Sequence, residues 1–364
     1  MVGAKRVLVY RLGSLGDHLV ALPSYRLVRR AFPQAEVRLL TNVPVSAKAP
    51  GAAAVLGGAG LVQGYLRYIV GTRSVVELAR LWWQIARFRP DVVVYLAASR
   101  GVGAAKRDAS FFRLCGVRQM VGVPLSEAMQ QNWYGEATGE SCAGNLEPEA
   151  ARLARNIAEL GDAKLDDPAN WDLQLSEAEH AAAARAIGDL AADAISVSVG
   201  TKVQAKDWGK ENWRALLAAM AAKYPGRVLL LAGATEESAA SEFAADGWRE
   251  NGGGSVVNLC GKLTPRESAA ALERAVLFVG HDSGPMHLAA AVGTPVVAIF
   301  AARNIPRQWF PFGDQHRVAY HQVDCAGCGL ETCIEQKKKC LMSITVEEVM
   351  RLIDEVMEGK NAAR

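Results

Sequence analysis

The sequence predicts an α/β protein that consists of two doubly wound parallel-sheet lobes with a cleft between them. Three observations support this prediction. The chain has 364 residues, which is enough for two domains. Short buried strands alternate with helices in the first third, and a second alternation begins near Ala194. Ligands of such sheets bind beyond the carboxyl ends of the strands, so the residues that follow each strand are the candidate site residues.

The first lobe is predicted from five segments. Strands are predicted over residues 6–10, 36–42 and 91–98, which are short apolar runs. Helices are predicted over 17–31 and 75–88. Each helix is expected to end shortly before a proline, Pro33 or Pro90, because proline disfavours helical backbone in the residue before it.

The pattern weakens between residues 125 and 190, where the first lobe is expected to end. The segment 135–152, GEATGESCAGNLEPEAAR, reads as a loop that opens a helix. Asp166-Asp167-Pro168 and an alanine-rich helix within 176–194 indicate a boundary. The predicted division is a first lobe over 1–175, a second over 176–344, and a C-terminal helix and tail over 345–364.

The second lobe is predicted from a renewed alternation of the same kind. Its strands are predicted over 194–201, 227–233, 255–261, 276–280 and 295–301. Its helices are predicted over 211–223, 266–274 and 345–357. The last helix begins at a Thr-x-x-Glu capping box formed by Thr345 and Glu348.

The composition is that of a soluble globular protein. Half of the residues are hydrophobic and 22% are charged. No apolar run approaches the ~20 residues that a membrane span requires, and the short run 7–10 leads into Arg11, unlike a signal peptide. Seven cysteines, an odd number, do not suggest a secreted disulfide framework. We therefore expect a cytoplasmic protein.

The net charge of +3 conceals an asymmetry along the chain. Residues 1–120 contain 18 lysines and arginines against 5 aspartates and glutamates, whereas the remainder contains 23 against 33. A basic first third favours an anionic partner or an anionic membrane surface. The alternative is that these charges lie on solvated helix faces.

The segment 279–300, VGHDSGPMHLAAAVGTPVVAIF, places polar residues where a buried strand gives way to a helix. The start of that helix has up to four backbone N–H groups without helical partners, and its dipole adds about half a positive charge there. Gly284 lets a ligand approach the backbone, Ser283 adds a hydroxyl, and His287 falls one turn into the helix. This pattern is typical of a diphosphate site. Alternatively, Asp282 or Ser283 only caps the helix.

A second polar turn follows the first strand in RVLVYRLGSLGDHLVALP, residues 6–23. Its Gly13-x-x-Gly16-Asp17 pattern lacks the Gly-x-Gly-x-x-Gly dinucleotide fingerprint. Asp17 is a candidate general base, because a carboxylate there could accept a proton from a substrate hydroxyl. The alternative is an N-cap or N1 aspartate, with His18 beside it as a helix-surface residue.

Three segments together resemble glycosyltransferase family 9, the ADP-heptose:lipopolysaccharide heptosyltransferases. They are GSLGDHLVALPSYRLVRRAFPQAEVRLLTN, SVSVGTKVQAKDWGKENWRALL and the segment 279–300 with its Asp-Ser-Gly-Pro-x-His-Leu-Ala pattern. The resemblance implies the GT-B fold, with an acceptor-binding Rossmann-like lobe followed by a nucleotide-sugar-binding one. It also implies sugar transfer with inversion and without a required metal, and the sequence has no Asp-x-Asp triplet.

The resemblance implies a role for each candidate residue. Asp17 would be the general base, and Lys206 would neutralise phosphate charge. Either Glu236 or Glu237 would bind the donor ribose. The other donor-side residues would hold the diphosphate or shape its loop: Thr201, Asp282, Ser283, Gly284 and His287. The acceptor side would include Gly13, Gly16, Arg100, Lys106 and Arg107.

The resemblance also implies the partners. The donor would be a nucleotide sugar, with ADP-heptose expected. The acceptor would be an anionic glycolipid of the lipopolysaccharide core, or a related surface glycan, at the cytoplasmic face of the inner membrane. No nucleic acid is expected. Trp82 and Trp83 on the helix 75–88 could touch lipid, since aromatic residues favour that interface, but at least one of them is expected to pack in the core.

Four cysteines near the C terminus are spaced closely enough to be metal ligands: Cys325, Cys328, Cys333 and Cys340. Their spacing is not a standard pair of Cys-x-x-Cys motifs. Reduced structural thiols or disulfides, a structural zinc ion and an iron–sulfur cluster are all open interpretations. A catalytic role is not expected, because no Cys/His pair is evident.

Two other functions are compatible with the same features. One is a GT-B nucleotide-sugar epimerase, which would need no acceptor. The other is a nucleotide-sugar-binding protein without catalysis, and the presence of Asp17 argues against it.

Overall fold

The computed structural model describes residues 3–43, 51–132, 146–188 and 193–363. The chain divides into two compact units, Met1–Gln174 and Leu175–Arg364. Each unit contains one parallel sheet with helices packed against it. Residues 135–145 of the segment 135–152, which was predicted as a loop that opens a helix, lie outside the described residues, as do residues 189–192 of the predicted alanine-rich helix.

The first unit has a five-stranded sheet in the order β3-β2-β1-β4-β5, and all pairs are parallel. Its strands are β1 (Arg6–Tyr10), β2 (Glu36–Asn42), β3 (Gly64–Tyr68), β4 (Val92–Tyr95) and β5 (Gln119–Val121). Strand β1 is central, and four of its five residues are buried. The strand order reverses between β1 and β4, so this unit has its switch point at the carboxyl ends of those two strands.

Seven helices accompany this sheet in the described residues: α1 (Leu15–Leu19), α2 (Leu22–Ala31), α3 (Ala52–Leu56), α4 (Val75–Phe88), α5 (Val102–Leu114), α6 (Glu127–Gln130) and α7 (Glu149–Asn156). The prediction of one helix over 17–31 is wrong. Helix α1 ends at Leu19, and Pro23 lies in the first turn of α2, because proline has no N–H to continue the preceding helix. The prediction of α4 is confirmed at both ends. Ser74 caps its start, and Arg89 ends it in a left-handed conformation.

The second unit has a six-stranded parallel sheet in the order β11-β10-β9-β6-β7-β8. Its strands are β6 (Ala194–Ser198), β7 (Leu229–Leu231), β8 (Val256–Asn258), β9 (Ala275–His281), β10 (Val296–Phe300) and β11 (Arg317–Tyr320). The strand order reverses between β6 and β9, which are both fully buried. The predicted fold class, two Rossmann-like parallel-sheet lobes, is confirmed.

The helices of the second unit are α8 (Glu177–Ile187), α9 (Lys210–Lys223), α10 (Ser238–Glu250), α11 (Pro265–Glu273), α12 (Gly284–Ala291), α13 (Lys339–Met342) and α14 (Val346–Ala363). Helix α14 is longer than predicted, and the Thr345 hydroxyl accepts the Glu348 N–H at its start, as expected for a cap. The largest buried side chains of the unit are three tryptophans, Trp208, Trp213 and Trp248. They share one core with β6, β9 and the inner face of α14.

Candidate functional site

The turn between β1 and α1 places Asp17 at the switch point of the first unit. The Gly13 N–H donates to Asn42 Oδ1 at 2.7 Å, which fixes the turn to the end of β2. Gly13 has φ +135°, and a Cβ atom there would overlap the Asp17 carboxyl group. Glycine is therefore required at position 13 by backbone conformation and by space. Gly16 lies within α1, one residue before Asp17.

The Asp17 carboxylate is held in place but remains accessible. Its Oδ2 accepts the Ser14 N–H at 2.8 Å and the Ser14 hydroxyl at 3.1 Å. Its Oδ1 lies 3.7 Å from an Arg11 nitrogen, and 23% of the side chain is exposed. Asp17 is the third residue of α1, not an N-cap or N1 residue. A carboxylate that is held by fixed donors and is still partly exposed can accept a proton from a bound hydroxyl.

A buried ion-pair network supports this turn, and sequence reasoning did not find it. Arg11 is fully buried and donates to the Asp17 carbonyl oxygen through Nε at 3.1 Å and Nη2 at 2.9 Å. Its Nη1 lies 3.3 Å from Glu149 Oε1, and Arg152 donates to both Glu149 oxygens at 2.7 and 2.9 Å. Burial opposes ionisation of Glu149, but Arg152 and Arg11 outweigh it and hold its pKa below the usual range. The one feature of the sequence that could have indicated this network is Arg11, a charged residue directly after a buried strand.

His18 is buried and is not the helix-surface residue that the sequence suggested. Its Nδ1 lies 2.9 Å from the Tyr25 hydroxyl. Burial and the nearby Arg11 charge lower the pKa of His18 to about 3. The imidazole is therefore neutral, and it packs between α1 and α2 instead of facing solvent.

The three predicted acceptor-side cations differ in their surroundings. Arg100, five residues beyond the end of β4, pairs with Asp108 at 2.5 Å. It also donates to the hydroxyls of Tyr10 at 3.0 Å and Tyr95 at 3.1 Å. Lys106 and Arg107 are exposed on α5. Arg100 thus belongs to a polar cluster at the switch point, whereas the other two cations face solvent.

The predicted diphosphate turn lies at the switch point of the second unit. Strand β9 ends at His281, Ser283 is the N-cap of α12, and Pro285 lies in its first turn. The Ser283 hydroxyl is buried and has no hydrogen-bond partner in the described residues. His287 lies one turn into α12 and is mostly buried. A hydroxyl without a partner beside a helix N-terminus is an arrangement that an anion can complete.

Lys206 lies beside this turn, at the end of a short 3₁₀ helix, Gln204–Lys206, that follows β6. Its ammonium group is 2.5 Å from Asp282 Oδ2 and donates to the Asp282 carbonyl oxygen at 3.1 Å. The ion pair fixes the lysine next to the first turn of α12. Asp282 therefore pairs with Lys206 and does not cap the helix.

The two candidate ribose-binding glutamates, Glu236 and Glu237, have different surroundings in the structure. Glu237 is half-buried, and its Oε2 accepts the Ala234 N–H at 3.0 Å. A Cβ atom at Gly200 or Gly233, just beyond β6 and β7, would overlap its carboxyl group. Burial raises the pKa of Glu237, whereas Glu236 is exposed. Thr201 closes a small turn nearby, with its hydroxyl accepting the Val203 N–H at 3.3 Å.

His281 is a second residue that sequence reasoning missed. Its Nε2 accepts the Trp208 N–H at 3.1 Å and the Trp213 indole N–H at 3.3 Å. The Trp213 and His281 rings meet edge to face. Burial lowers the pKa of His281 to about 4, so the ring is a neutral acceptor. It links β9 to the segment that carries Lys206.

The four C-terminal cysteines are free thiols, as are Cys115 and Cys260. Burial raises the pKa of Cys340, and the neighbouring Cys325, Cys333 and Cys328 raise it further. Over the ranges that the structure describes, no group of three or more His, Cys, Asp or Glu side chains is arranged to hold a metal ion. None of these four cysteines is in a disulfide in the described residues, and the predicted zinc ion is not confirmed.

The outer face of α4 is unusually apolar for a protein surface. Val75 is 78% exposed, Trp82 44% and Trp83 54%. The expectation that at least one tryptophan packs in the core is therefore wrong, because α4 buries only Leu81, Ile85 and Phe88. None of the helices in the described residues is long and apolar enough to cross a bilayer.

The sequence model of glycosyltransferase family 9 (heptosyltransferase) matches residues 150–339. Lipopolysaccharide heptosyltransferase 3 of Escherichia coli is 29% identical over 137 residues, which cover 38% of this chain and 37% of that protein. Alignments with the curated relatives span about a third of the length of those relatives.

Solved structures extend the similarity to almost the whole chain. The family 9 glycosyl transferase from Veillonella parvula DSM 2008 superposes with a TM-score of 0.69 at 16% identity, covering 98% of each chain. E. coli ADP-heptose lps heptosyltransferase II gives a TM-score of 0.65 at 16% identity, covering 98% of this chain and 99% of that one. At this level of identity the structural matches establish a common fold.

Proposed function

Because this chain belongs to glycosyltransferase family 9, we propose that it transfers a sugar, with inversion, from a nucleotide-sugar donor to a surface-glycan acceptor. The donor is heptose carried on ADP, and the acceptor is the lipopolysaccharide core or a related glycan. One observation carries the proposal. The Ser283 hydroxyl at the N-terminus of α12 is buried and has no partner among the residues that the structure describes, and the Lys206 ammonium group pairs with the adjacent Asp282. This set of groups suits a diphosphate.

The donor diphosphate is proposed to bind at the first turn of α12. Ser283, the backbone at Gly284 and His287 donate to its oxygens, and Lys206 neutralises its charge while Asp282 holds the lysine in place. Thr201 provides a further phosphate contact. Glu237, at the ends of β6 and β7, binds the ribose, and its position favours it over the exposed Glu236. Negative charge develops on the departing diphosphate, and each positioned donor is worth roughly 10²–10³ in rate.

The acceptor hydroxyl is proposed to lose its proton to Asp17. The hydrogen bonds from Ser14 and the nearby Arg11 charge keep this carboxylate in one orientation. General-base assistance contributes typically about 10²–10⁴ in rate. Gly13 and Gly16 leave room beside Asp17, and Arg100, Lys106 and Arg107 attract an acidic acceptor. No metal is proposed to take part.

The substitution Asp17→Asn tests this assignment. The amide keeps the shape but cannot accept the proton, so we expect turnover to fall about 10²–10⁴-fold. Affinity for ADP, measured by titration calorimetry, is expected to stay within twofold of wild type. Asp166→Asn, at an exposed aspartate of the same unit, is the matched control and should leave both quantities unchanged. Unaltered turnover in Asp17→Asn would remove Asp17 from the mechanism.

A nucleotide-release assay tests the reaction class. ADP should leave ADP-heptose rapidly only when a deacylated core acceptor is added. Conversion of the nucleotide sugar without an acceptor would indicate an epimerase instead. Tight ADP-heptose binding without turnover on any acceptor would indicate a binding protein that lacks catalysis.

The protein is proposed to contact the anionic cytoplasmic leaflet of the inner membrane through the outer face of α4. Exposed Val75, Trp82 and Trp83 supply apolar contact, and the exposed Arg73 and Arg87 supply positive charge. We expect flotation with vesicles that contain phosphatidylglycerol, and less flotation with neutral vesicles or at high salt. Val75→Asp should reduce it, whereas Ile334→Asp, an equally exposed apolar position in the second unit, should not. Equal flotation of both variants would contradict the proposed face.

A structural zinc ion at Cys325, Cys328, Cys333 and Cys340 stays a prediction. Metal analysis of protein purified without added zinc tests it. One equivalent of zinc in the wild-type protein, lost when all four cysteines are replaced by serine, would support the prediction. Folded protein that contains no metal would exclude it. No step of the proposed transfer depends on the outcome.

A further inference from the structure

The cysteine-rich segment, residues 324–340, lies against the turn that carries Lys206. Three hydrogen bonds join them. The Ala205 N–H donates to the Glu331 carbonyl oxygen at 3.0 Å. The Cys333 N–H donates to Gln204 Oε1 at 2.9 Å, and Lys338 Nζ donates to the Asp207 carbonyl oxygen at 2.5 Å. Both neighbours of Lys206 in the chain are therefore held by this segment.

The segment is itself anchored at both ends. Near its start, the Gly327 and Gly329 N–H groups donate to the carbonyl oxygens of Ala302 and Arg303, each at 2.8 Å. These two residues directly follow the end of β10 and the single Ala301. Near its end, the Lys339 ammonium lies 2.5 Å from Asp324 Oδ1, which ties the two ends of the segment together. The segment therefore connects the carboxyl end of β10 to the Lys206 turn.

Cys333 lies at the centre of this contact. While its N–H reaches Gln204, its Sγ accepts the Lys338 N–H at 3.4 Å. Lys338 adopts a left-handed conformation with φ +55°, which turns the chain so that its ammonium group meets Asp207. Cys333 thus joins the Gln204 side chain, through its N–H, to the backbone of Lys338, through its thiol.

Lys206 depends on this support more than a lysine within a helix would. Its turn is a single 3₁₀ turn of three residues, Gln204–Lys206. The Lys206 side chain is already held by its ion pair with Asp282, so the position of its ammonium group depends on the backbone that carries it. A backbone that is already fixed reduces the ordering required when the ligand binds.

We propose that the cysteine-rich segment positions Lys206 and thereby sets the affinity for the donor diphosphate. This inference rests on the proposed role of Lys206 in donor binding. The segment residues are positioning residues, because they act on the Lys206 backbone and need not touch the ligand. Lys338, Cys333 and Gln204 carry the effect.

Calorimetric titration with ADP and steady-state kinetics test the proposal. Lys338→Met removes the hydrogen bond to Asp207 but keeps the aliphatic stem. We expect about tenfold weaker ADP binding, as for the loss of one charge-assisted hydrogen bond, and a similar rise in the KM for the donor. The kcat at saturating donor should also fall, because Lys206 is proposed to neutralise the charge that develops on the departing diphosphate. Lys338→Arg should restore affinity, and Lys337→Met, at the exposed neighbouring lysine, should leave it unchanged.

Hydrogen exchange in the absence of nucleotide provides a second measurement that does not depend on the donor. Amides in residues 201–209 should exchange faster in Lys338→Met and in Cys333→Val, but not in Lys337→Met or in Cys333→Ser, whose hydroxyl can still accept. Faster exchange with unchanged ADP affinity would overturn the proposal. A wild-type protein that bound no ADP would show that the proposed donor is wrong. Unchanged exchange in Lys338→Met and Cys333→Val would independently refute the positioning role of the segment.

Discussion

Removal of the Glu149 carboxylate should destabilise the first unit strongly. Glu149, Arg11 and Arg152 are all fully buried or nearly so, and the carboxylate accepts from both guanidinium groups and from Asn132 at 3.1 Å. Removing one partner of a buried ion pair lowers the free energy of unfolding by roughly 3–5 kcal/mol, because the remaining charge is left uncompensated. In Glu149→Gln, Arg152 would lose this counter-ion, and Arg11 would keep only the Asp17 carboxylate at 3.7 Å.

The structure favours the lower end of that range. Arg11 keeps hydrogen bonds to the carbonyl oxygens of Asp17 and Leu96, and Arg152 keeps those to Ala97 and Met129. We therefore expect a loss of about 3 kcal/mol in the free energy of unfolding of this unit. Since about 1.4 kcal/mol corresponds to a tenfold change in an equilibrium constant, amide protection in β1 should fall roughly 10²-fold.

Hydrogen exchange of β1 peptides, together with urea unfolding, measures this loss. Glu77→Gln is the control, because Glu77 pairs with the exposed Arg80 on the same unit, and exposed pairs contribute about 0–1 kcal/mol. A loss in Glu149→Gln no larger than in the control would refute the view that this network supports the Asp17 turn.

Three further outcomes are expected. Gly13→Ala should displace the Asp17 carboxyl group and abolish most turnover while ADP affinity is retained, and normal turnover would contradict the geometry of that turn. Burial lowers the pKa of His281 from about 6.5 in the unfolded chain to about 4, so its effect on stability is absent above about pH 6.5 and grows as the pH falls. By about pH 5 the loss from this residue should be about 2 kcal/mol in urea unfolding, and His281→Gln should reduce the pH dependence by that amount, while the buried His18 keeps its own contribution. Glu237→Gln should weaken ADP binding measured by calorimetry more than Glu236→Gln, and the reverse order would assign the ribose to Glu236.

The sequence predicted the elements that are buried and strongly patterned. Strands β1 and β2 and helix α4 have the predicted bounds, because apolar runs and capping residues are local signals. Strands β3, β5 and β11 were missed, since they are short and only partly buried at the sheet edges. The break between α1 and α2 was missed although Pro23 signals it.

The same distinction applies to the candidate site. Asp17 and Ser283 lie in the turns that follow β1 and β9, so parallel-sheet topology pointed to them. Lys206 lies further from the end of β6 and was predicted only from the family resemblance. Glu149 lies 138 residues from its partner Arg11, and no short-range pattern joins them. The surroundings of His281 likewise depend on Trp208, which precedes helix α9, and Trp213, which lies within it. Such partners become evident only in three dimensions.

The proposed donor and acceptor residues lie in different units, which has a consequence for how such proteins diversify. Every residue proposed to hold the nucleotide lies in Leu175–Arg364, and every residue proposed for the acceptor lies in Met1–Gln174. Each half also encloses its own hydrophobic interior. Exchange of one unit between homologous genes would then change the specificity for one substrate and leave the specificity for the other unchanged. Chimeras joined near Gln174 are therefore a starting point for engineering new glycans.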